Sequence, residues 1–326
     1  MTKALTAPGV PPPGSTPAIP PPGSPAARRP TRSPRRRRAT RAALALALLA
    51  PSIVLYAVFV FYPLLRQIYL SFFETPPFPG EPKHYVGFSQ ISSVLSSHDF
   101  LNSLWVTLLF VLYTVPLGLV LGLLLAVLAH QQLAGIRIYR TIFSSTVATS
   151  VAVASVIFFT LLNPQIGLFS YWFGTTGQLS VLDDPRWALL AVSAVTVWQN
   201  LGLSFIVMSA GLQAVPDELL EASRVDGARA WARLRHVILP MLSPTLFFAV
   251  VVGSILSLEA FGQIDILTQG GPLQHTNVLV YAIYNEVFSV DDQGRAAVMT
   301  VALFVITLVF TLIQIRLLER RVTYER

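Results

Sequence analysis

A catalyst that spends energy needs groups to hold a phosphate, a metal or a proton, and this sequence is poor in all three. Lysine occurs only at Lys3 and Lys83, and neither follows a glycine. The G-x-x-x-x-G-K-[ST] loop that cradles nucleotide phosphates is therefore impossible. H-E-x-x-H and G-x-S-x-G are also absent. With no cysteine, disulfides, thiolate metal sites and thiol catalysis are excluded. His84, His98, His130, His236 and His275 are scattered and form no metal cluster or proton relay. The chain reads as a non-enzyme with no cofactor and no metal of its own. What it does carry is polar side chains in apolar surroundings. Trp198, Gln199, Asn200 and Ser204 lie together in one apolar run and Glu259 near the end of another. Such residues are functional candidates by default, because burying them in lipid is costly. An aromatic ring beside amide and hydroxyl groups suits a sugar-like solute, the ring covering C–H faces and the polar groups taking hydroxyls. Trp198, Asn200, Ser204 and Glu259 are thus candidate pathway residues. The plainer alternatives are packing for Trp198, a bond to its own helix backbone for Ser204 and an interfacial place for Glu259.

A second polar stretch lies between two apolar runs, from Pro216 to Pro240. Pro216 suits a first helical position, and Asp217 and Glu218 put acid at the positive end of the helix dipole. Arg224 falls in the last turn and Gly227 is a natural stop. A second helix is expected from Ala228 to about Leu239, where Pro240 interrupts. Leu219, Leu220, Ala222, Val225, Ala228, Trp231 and Leu234 can form apolar faces. The element could be an ordinary amphipathic loop or a knob offered to another protein.

Composition supplies the elements that must hold these residues. Of 326 residues, 53% are hydrophobic and 12% charged, against about 25% charged in soluble domains. Mean hydropathy is +0.62. About 20 apolar residues cross a bilayer, and six spans are expected at about 42–65, 104–129, 139–162, 187–210, 241–262 and 296–317. Pro51, Pro63 and Pro116 are expected to kink their spans, which membrane helices tolerate. Gly118 and Gly122 form a small-xxx-small pair that suits close helix contact or simply faces lipid.

With the N-terminus inside, 19 Lys/Arg side chains fall on the cytoplasmic side and four, Arg66, Lys83, Arg186 and Arg295, outside. The positive-inside rule then puts both termini and the 211–240 loop in the cytoplasm. Outer loops are expected at 71–103, 163–186 and 263–295. The first opens Pro-rich and holds a short surface helix near Ser89–Ser97. Acidic side chains on these loops either contact a soluble partner or are solvated surface. Residues 1–41 hold 11 prolines and an Arg cluster, and are expected to be a disordered cytoplasmic tail. The cluster is read as a topology anchor near anionic lipid heads, not a nucleic-acid site. The apolar run 42–65, 24 residues, is too long for a signal-peptide core and reads as an anchor.

Glu221-Ala222-Ser223-x-x-Asp226-Gly227-Ala228, followed by Trp231, Leu234 and Val237-Ile238-Leu239-Pro240, resembles the EAA signature of ABC-importer permeases, the coupling loop that docks on the ATPase. Ser223 stands where that family usually has a second Ala. Leu267-Thr268-Gln269-Gly270-Gly271-Pro272, by itself a tight turn, resembles the L-T-x-G-G-P segment of one permease type in carbohydrate-class importers, the maltose and glycerol-3-phosphate kind. Phe261-Gly262-Gln263-Ile264-Asp265 departs from the family's F-D-x-I-Y. The resemblance covers roughly 42–320. It implies an all-α integral membrane protein with six transmembrane helices and a cytoplasmic coupling helix, the type I importer permease fold, in a bacterial plasma membrane. It implies a second non-identical permease, two ATP-binding cassette ATPases that hold ATP and Mg2+, and an extracytoplasmic solute-binding protein. Coupling would fall to Glu221, Ala222, Ser223, Asp226, Gly227, Ala228, Trp231 and Pro240, with Glu221 anchoring the helix through hydrogen bonds. Gly270, Gly271 and Pro272 would touch the binding protein. The solute would be a di- or oligosaccharide or a glycerol-phosphate derivative. Two rivals need features that are missing. A gradient-driven carrier or channel wants ionisable residues within several spans, and only Glu259 is a candidate. A membrane enzyme wants clustered His or acid.

Overall fold

The computed structural model describes residues 34–76, 81–131, 135–172 and 180–319. It forms two units, up to Phe59 and from Val60 on. The first is carried by α1 (Pro34–Tyr56). That helix starts inside the stretch expected to be tail, since Pro fits a first helical position and the arginines after it are good helix formers. Residues 1–33 lie outside the described residues. Pro51 sits inside α1 without ending it.

In the second unit α2 (Tyr62–Leu70) follows a π-turn, Ala57–Phe61, with Pro63 in its first turn. A two-residue antiparallel pair, β1 (Phe73–Glu74) and β2 (His84–Tyr85), has Phe73 opposite Tyr85. The surface helix α3 (Phe88–Leu95) leads into α4 (His98–Ala129), where the Ser97 hydroxyl accepts from the Phe100 N–H at 3.3 Å as N-cap. Then come α5 (Ile136–Ser145), α6 (Val151–Leu161), α7 (Leu168–Trp172) and α8 (Ala188–Gln213). The polar element is α9 (Asp217–Val225), α10 (Ala230–Arg233), a π-turn and α11 (Leu239–Met241). It is followed by α12 (Ser243–Leu258), α13 (Gly262–Leu267), α14 (Leu279–Asn285) and α15 (Gln293–Glu319).

Four stretches, Leu44–Leu70, His98–Ala129, Ala188–Gln213 and Gln293–Leu317, are long and apolar enough to cross a membrane as single helices. Two bent pairs bring the candidate spans to six: Ile136–Ala148 with Val151–Leu161, bent by 103°, and Ala230–Met241 with Ser243–Leu258, bent by 74°. The expected span 139–162 is therefore a broken one. Its break is not at a proline: Thr149 is extended, and the Ser150 hydroxyl accepts from the Val153 N–H at 3.2 Å to start a new helix. The second elbow is at Leu242, between Pro240 and Pro244. Pro244 opens α12, where a missing N–H costs nothing. Pro116, expected to kink its span, sits in an uninterrupted 32-residue helix.

Small residues set the packing, as they must where lipid removes the hydrophobic drive between helices. A Cβ on Gly122 of α4 would lie 2.7 Å from Ser204 Cβ and 3.0 Å from its carbonyl carbon on α8. Gly118 and Gly122 are both buried, so the pair serves contact and not lipid. On α8, a Cβ on Gly202 would lie 2.4 Å from Thr146 Oγ1 and 2.9 Å from the Phe143 carbonyl oxygen, so α8 holds the broken span at its bend. The loop after α4 is tied back by Arg140, whose Nη2 donates to the Ala129 carbonyl at 2.7 Å.

Candidate coupling surface and solute pathway

The polar element closes on its own hydrogen bonds. Gly227 adopts φ +73°, its N–H donates to the Arg224 carbonyl at 3.0 Å, and the Ala228 N–H donates to the Ser223 carbonyl at 3.0 Å. This is the Schellman ending, which needs a left-handed residue just past the cap, and glycine takes that conformation without a Cβ penalty. Asp226 is the C-cap. The second helix starts at Ala230, not Ala228, because the chain leaves Gly227 extended through Arg229 (ψ 159°). It also passes through Pro240 to Met241. A π-turn at Leu234–Ile238 widens the helix just before the proline, which relieves the clash a proline ring makes with the preceding turn.

Ser223 alone on α9 is buried, and its hydroxyl donates to the Leu220 carbonyl at 2.7 Å. Glu221, Ala222, Asp226 and Pro240 are exposed and Ala228 is half-buried. Glu221 makes no hydrogen bond among the described residues, which leaves its carboxylate open to solvent. Val225 is 87% exposed and Trp231 69%. Apolar side chains displayed on a small polar element suit a protein partner.

Inside the helical body a cavity of about 110 Å³ opens between α4, α8 and α12. Asn200 and Ser204 line it, with Thr114, Gly118, Gly253 and Ser257 among their neighbours. Thr114 Oγ1 and Ser257 Oγ are 2.8 Å apart and tie α4 to α12. Asn200 and Ser204 are half-buried and have no hydrogen-bond partner among the described residues, which leaves both free for a solute. None of the lining side chains is ionisable. Trp198 and Glu259 are not brought to this cavity. Residues two apart on a helix point about 200° apart. Trp198 therefore leaves the face of Asn200 and packs edge-on against Phe158, with centroids 5.1 Å apart. Glu259 leaves the face of Ser257 and is exposed at the C-cap of α12.

The amide of Gln199, grouped in the sequence with Trp198, Asn200 and Ser204 as polar contact within the span, makes a bridge between elements. Its Nε2 donates to the Thr149 carbonyl at 3.4 Å and its Oε1 accepts from Gln263 Nε2 at 3.2 Å. The broken span, α8 and α13 are joined by this bridge. The crowding of hydroxyl and β-branched residues in Ser144–Ser150 was the available signal for the break.

On the far side of the spans, the Gly270–Pro272 turn is locked in place. Gly270 has φ +79°, and a Cβ there would lie 3.0 Å from the Tyr281 ring. Pro272 follows a cis peptide. The wholly buried Thr276 hydroxyl is 2.7 Å from Thr268 Oγ1 and also meets the Gly271 carbonyl oxygen. The Leu279 N–H donates to Thr107 Oγ1 on α4 at 2.8 Å, and Asn102 Nδ2 donates to the Gln274 carbonyl at 3.2 Å. Leu273, at the tip, is 82% exposed. Nearby, burial pushes the Glu286 carboxyl above its usual range, and Arg295, 3.5 Å away, pulls it partly back.

Residues 86–324 match the family model described as binding-protein-dependent transport system inner membrane component. The chain is 37% identical over 279 residues to the sn-glycerol-3-phosphate transport system permease protein UgpA of Agrobacterium fabrum, covering 85% of this chain and 95% of the relative. The Yersinia enterocolitica protein of the same name is 33% identical over 280 residues, with the same coverage. Among solved structures, a bacterial ABC transporter involved in the import of the acidic polysaccharide alginate matches with TM-score 0.76 at 22% identity, over 87% of this chain and 98% of that one. A second structure, the alginate transporter in complex with an alginate pentasaccharide-bound periplasmic protein, matches with TM-score 0.76 at 21% identity, over 89% and 99%. Up to six candidate spans, a self-closing polar element that follows the fourth and leads into the fifth, and these matches agree: the chain belongs to the inner-membrane components of binding-protein-dependent transport systems.

Proposed function

We propose that this chain is the permease subunit of an ATP-driven importer for a sugar or sugar-like solute, either a di- or oligosaccharide or a glycerol-phosphate derivative. The observation that carries the reading is the α9–α11 element. It is closed by its own caps, displays Val225 and Trp231 to solvent, and joins directly to a span through the Leu242 elbow. The chain has no phosphate-binding loop, so ATP and Mg2+ belong to a pair of ATPase subunits that dock on Glu221, Ala222, Asp226, Gly227, Ala228 and Trp231, with Ser223 buried behind them and the exposed Pro240 at the foot of the element. Lys/Arg asymmetry supports a cytoplasmic position for this element and for both termini. The Gly270–Gly271–Pro272 turn then faces outward, where it and Leu273 meet a solute-binding protein, and a second, non-identical permease completes the pathway.

ATP closes the ATPase pair, the element carries that motion through the elbow into α12, and the cavity beside Asn200 and Ser204 changes shape. Trp198 supports that face from behind and Glu259 stands at its outer end. A gradient-driven carrier would need ionisable groups in the cavity to bind its coupling ion, and the lining has none.

The test is a tagged purification from native membrane in mild detergent, with partners identified by mass spectrometry and ATPase activity assayed. A stoichiometric ATPase with a second six-span subunit is expected. The co-purified binding protein is then screened against sugars and glycerophosphodiesters. Recovery of the chain alone or as a homo-oligomer would overturn the reading.

A further inference from the structure

The positive-inside count leaves Arg66, Lys83, Arg186 and Arg295 on the outer side, and the fold gathers three of them where α2 ends and α15 begins. Arg295 has a carboxylate partner there: its Nε stands 3.5 Å from Glu286 Oε1 as an ion pair, and its backbone N–H donates to Asp292 Oδ1 at 3.0 Å. The other two cations have no carboxylate partner among the described residues. There Lys83 Nζ reaches a neutral group, Gln293 Oε1, at 3.0 Å. Arg66 is exposed and has neither hydrogen bond nor ion pair among the described residues.

Arg66 lines a cavity of about 300 Å³, with Tyr62, Pro63 and Gln67 on one wall and Gln293 and Thr300 on the other. That volume is at the lower end of ligand pockets. Its depth is informative. On α2 the lining falls in the last turns of the span Leu44–Leu70, and on α15 in the first turns of Gln293–Leu317. The cavity therefore sits at headgroup level. Along α2, Arg66 and Gln67 stand between Tyr62 and Pro63, which lie deeper, and Leu70 at the end of the span; Gln293 opens α15 with Ala296 and Thr300 deeper, and Val287 completes the lining. A cation and amides set among apolar side chains at this depth suit an amphiphile with an anionic head.

We propose that this cavity binds the phosphate of an anionic phospholipid, with Arg66 as the main phosphate ligand, Lys83 as a second cation and the Gln67 and Gln293 amides completing the contact. A guanidinium with no internal carboxylate offers a planar fork of donors that fits phosphate oxygens bidentately. Two unneutralised cations favour a headgroup of net negative charge over a zwitterionic one. The site is independent of the import reading, except that the sidedness proposed above decides which leaflet supplies the lipid.

The experiment uses the full complex. Wild-type protein and the Arg66→Gln/Lys83→Gln double variant are purified in parallel, and retained phospholipid is quantified by mass spectrometry. Wild type is expected to hold phosphatidylglycerol through detergent washing, and the double variant to retain less by about tenfold or more. Equal retention overturns the proposal. Displacement of the lipid by excess inorganic phosphate also overturns it, since the cavity would then take a soluble anion. A second measurement needs no variant. A photoactivatable phosphatidylglycerol should label peptides containing residues 62–70 or 293–300 in wild-type complex in vesicles, and a phosphatidylcholine analogue should not. Equal labelling by both probes, or labelling elsewhere, rejects the site. Recovery of the ATPase is scored separately, so failure of the lipid site and failure of the importer reading remain distinct results.

Discussion

The two ends of the molecule solve opposite problems. The α9–α11 element is held by local bonds: a Schellman ending at Gly227, a hydroxyl bonded within its own turn at Ser223, and a π-turn that admits Pro240. Val225 and Trp231 face solvent. The turn around Gly270 is held by partners distant in sequence: Thr107 on Leu279, Asn102 on Gln274, and a ring of Tyr281 filling the space beside Gly270. Thr276, Leu279 and Ile264 are wholly buried there. One end is a part that keeps its shape alone and shows its apolar groups to solvent. The other is a fixed platform whose shape depends on the whole fold. Damage at the first should therefore spare the fold and harm function, and damage at the second should do the reverse first.

The sharpest way to break this contrast is at Leu279. Leu279→Ala empties a wholly buried site and is expected to cost about 2–5 kcal/mol, read as a large fall in the thermal midpoint of the purified complex. Little change would mean the platform is not locked. Thr276→Val keeps the shape but strands the Gly271 carbonyl, with an expected cost of about 1–3 kcal/mol by the same measurement. At the other end, Gly227→Asp meets open space but a left-handed backbone, and a non-glycine residue there costs roughly 1–2 kcal/mol. Membrane insertion should persist while solute uptake is lost; Gly227→Asn, which tolerates that backbone better, should fall between. Wild-type-like uptake in Gly227→Asp would remove the coupling role. The smallest thermal effect is expected of Trp231→Ser. Its midpoint should stay near wild type while recovery of the ATPase on purification drops. A large loss of stability would show that Trp231 packs inward after all.

The local end was largely legible in the sequence and the tertiary end was not. Gly227 is set by its neighbours in the chain, so its cap could be read from spacing alone. The start at Ala230 was missed because a left-handed stop is followed by extended residues, which no apolar pattern reports. Asn200 and Ser204, four apart, share a helix face and were found together. Trp198 and Glu259 were grouped by proximity in sequence where helical phase separates them from the cavity. Pro51, Pro63 and Pro116 were expected to kink their own spans, yet α4 runs uninterrupted through Pro116 and the 103° break falls at Thr149–Ser150, where there is no proline. Hydroxyls there compete for backbone bonds, and α8 holds the break through Gly202 and Gln199. That contact joins residues 50 positions apart, beyond any local signal.

The near-touching backbones at Gly122 and Ser204 have a mechanical corollary. Ser204 is also a wall of the cavity, so one wall is welded: α4 cannot slide over α8 without a collision between main chains. If the cavity changes width, the opposite wall must travel. That wall is α12, whose lower end turns at Leu242 and rests with Thr245 against Gly211 of α8, where a Cβ would already lie 2.6 Å from Thr245 Oγ1. The arrangement is a vise with one jaw fixed, α4 on α8, and a second jaw, α12, that bears on Gly211 at one end and is latched to α4 by the Thr114–Ser257 hydrogen bond toward the other, with the α9–α11 element leading into it.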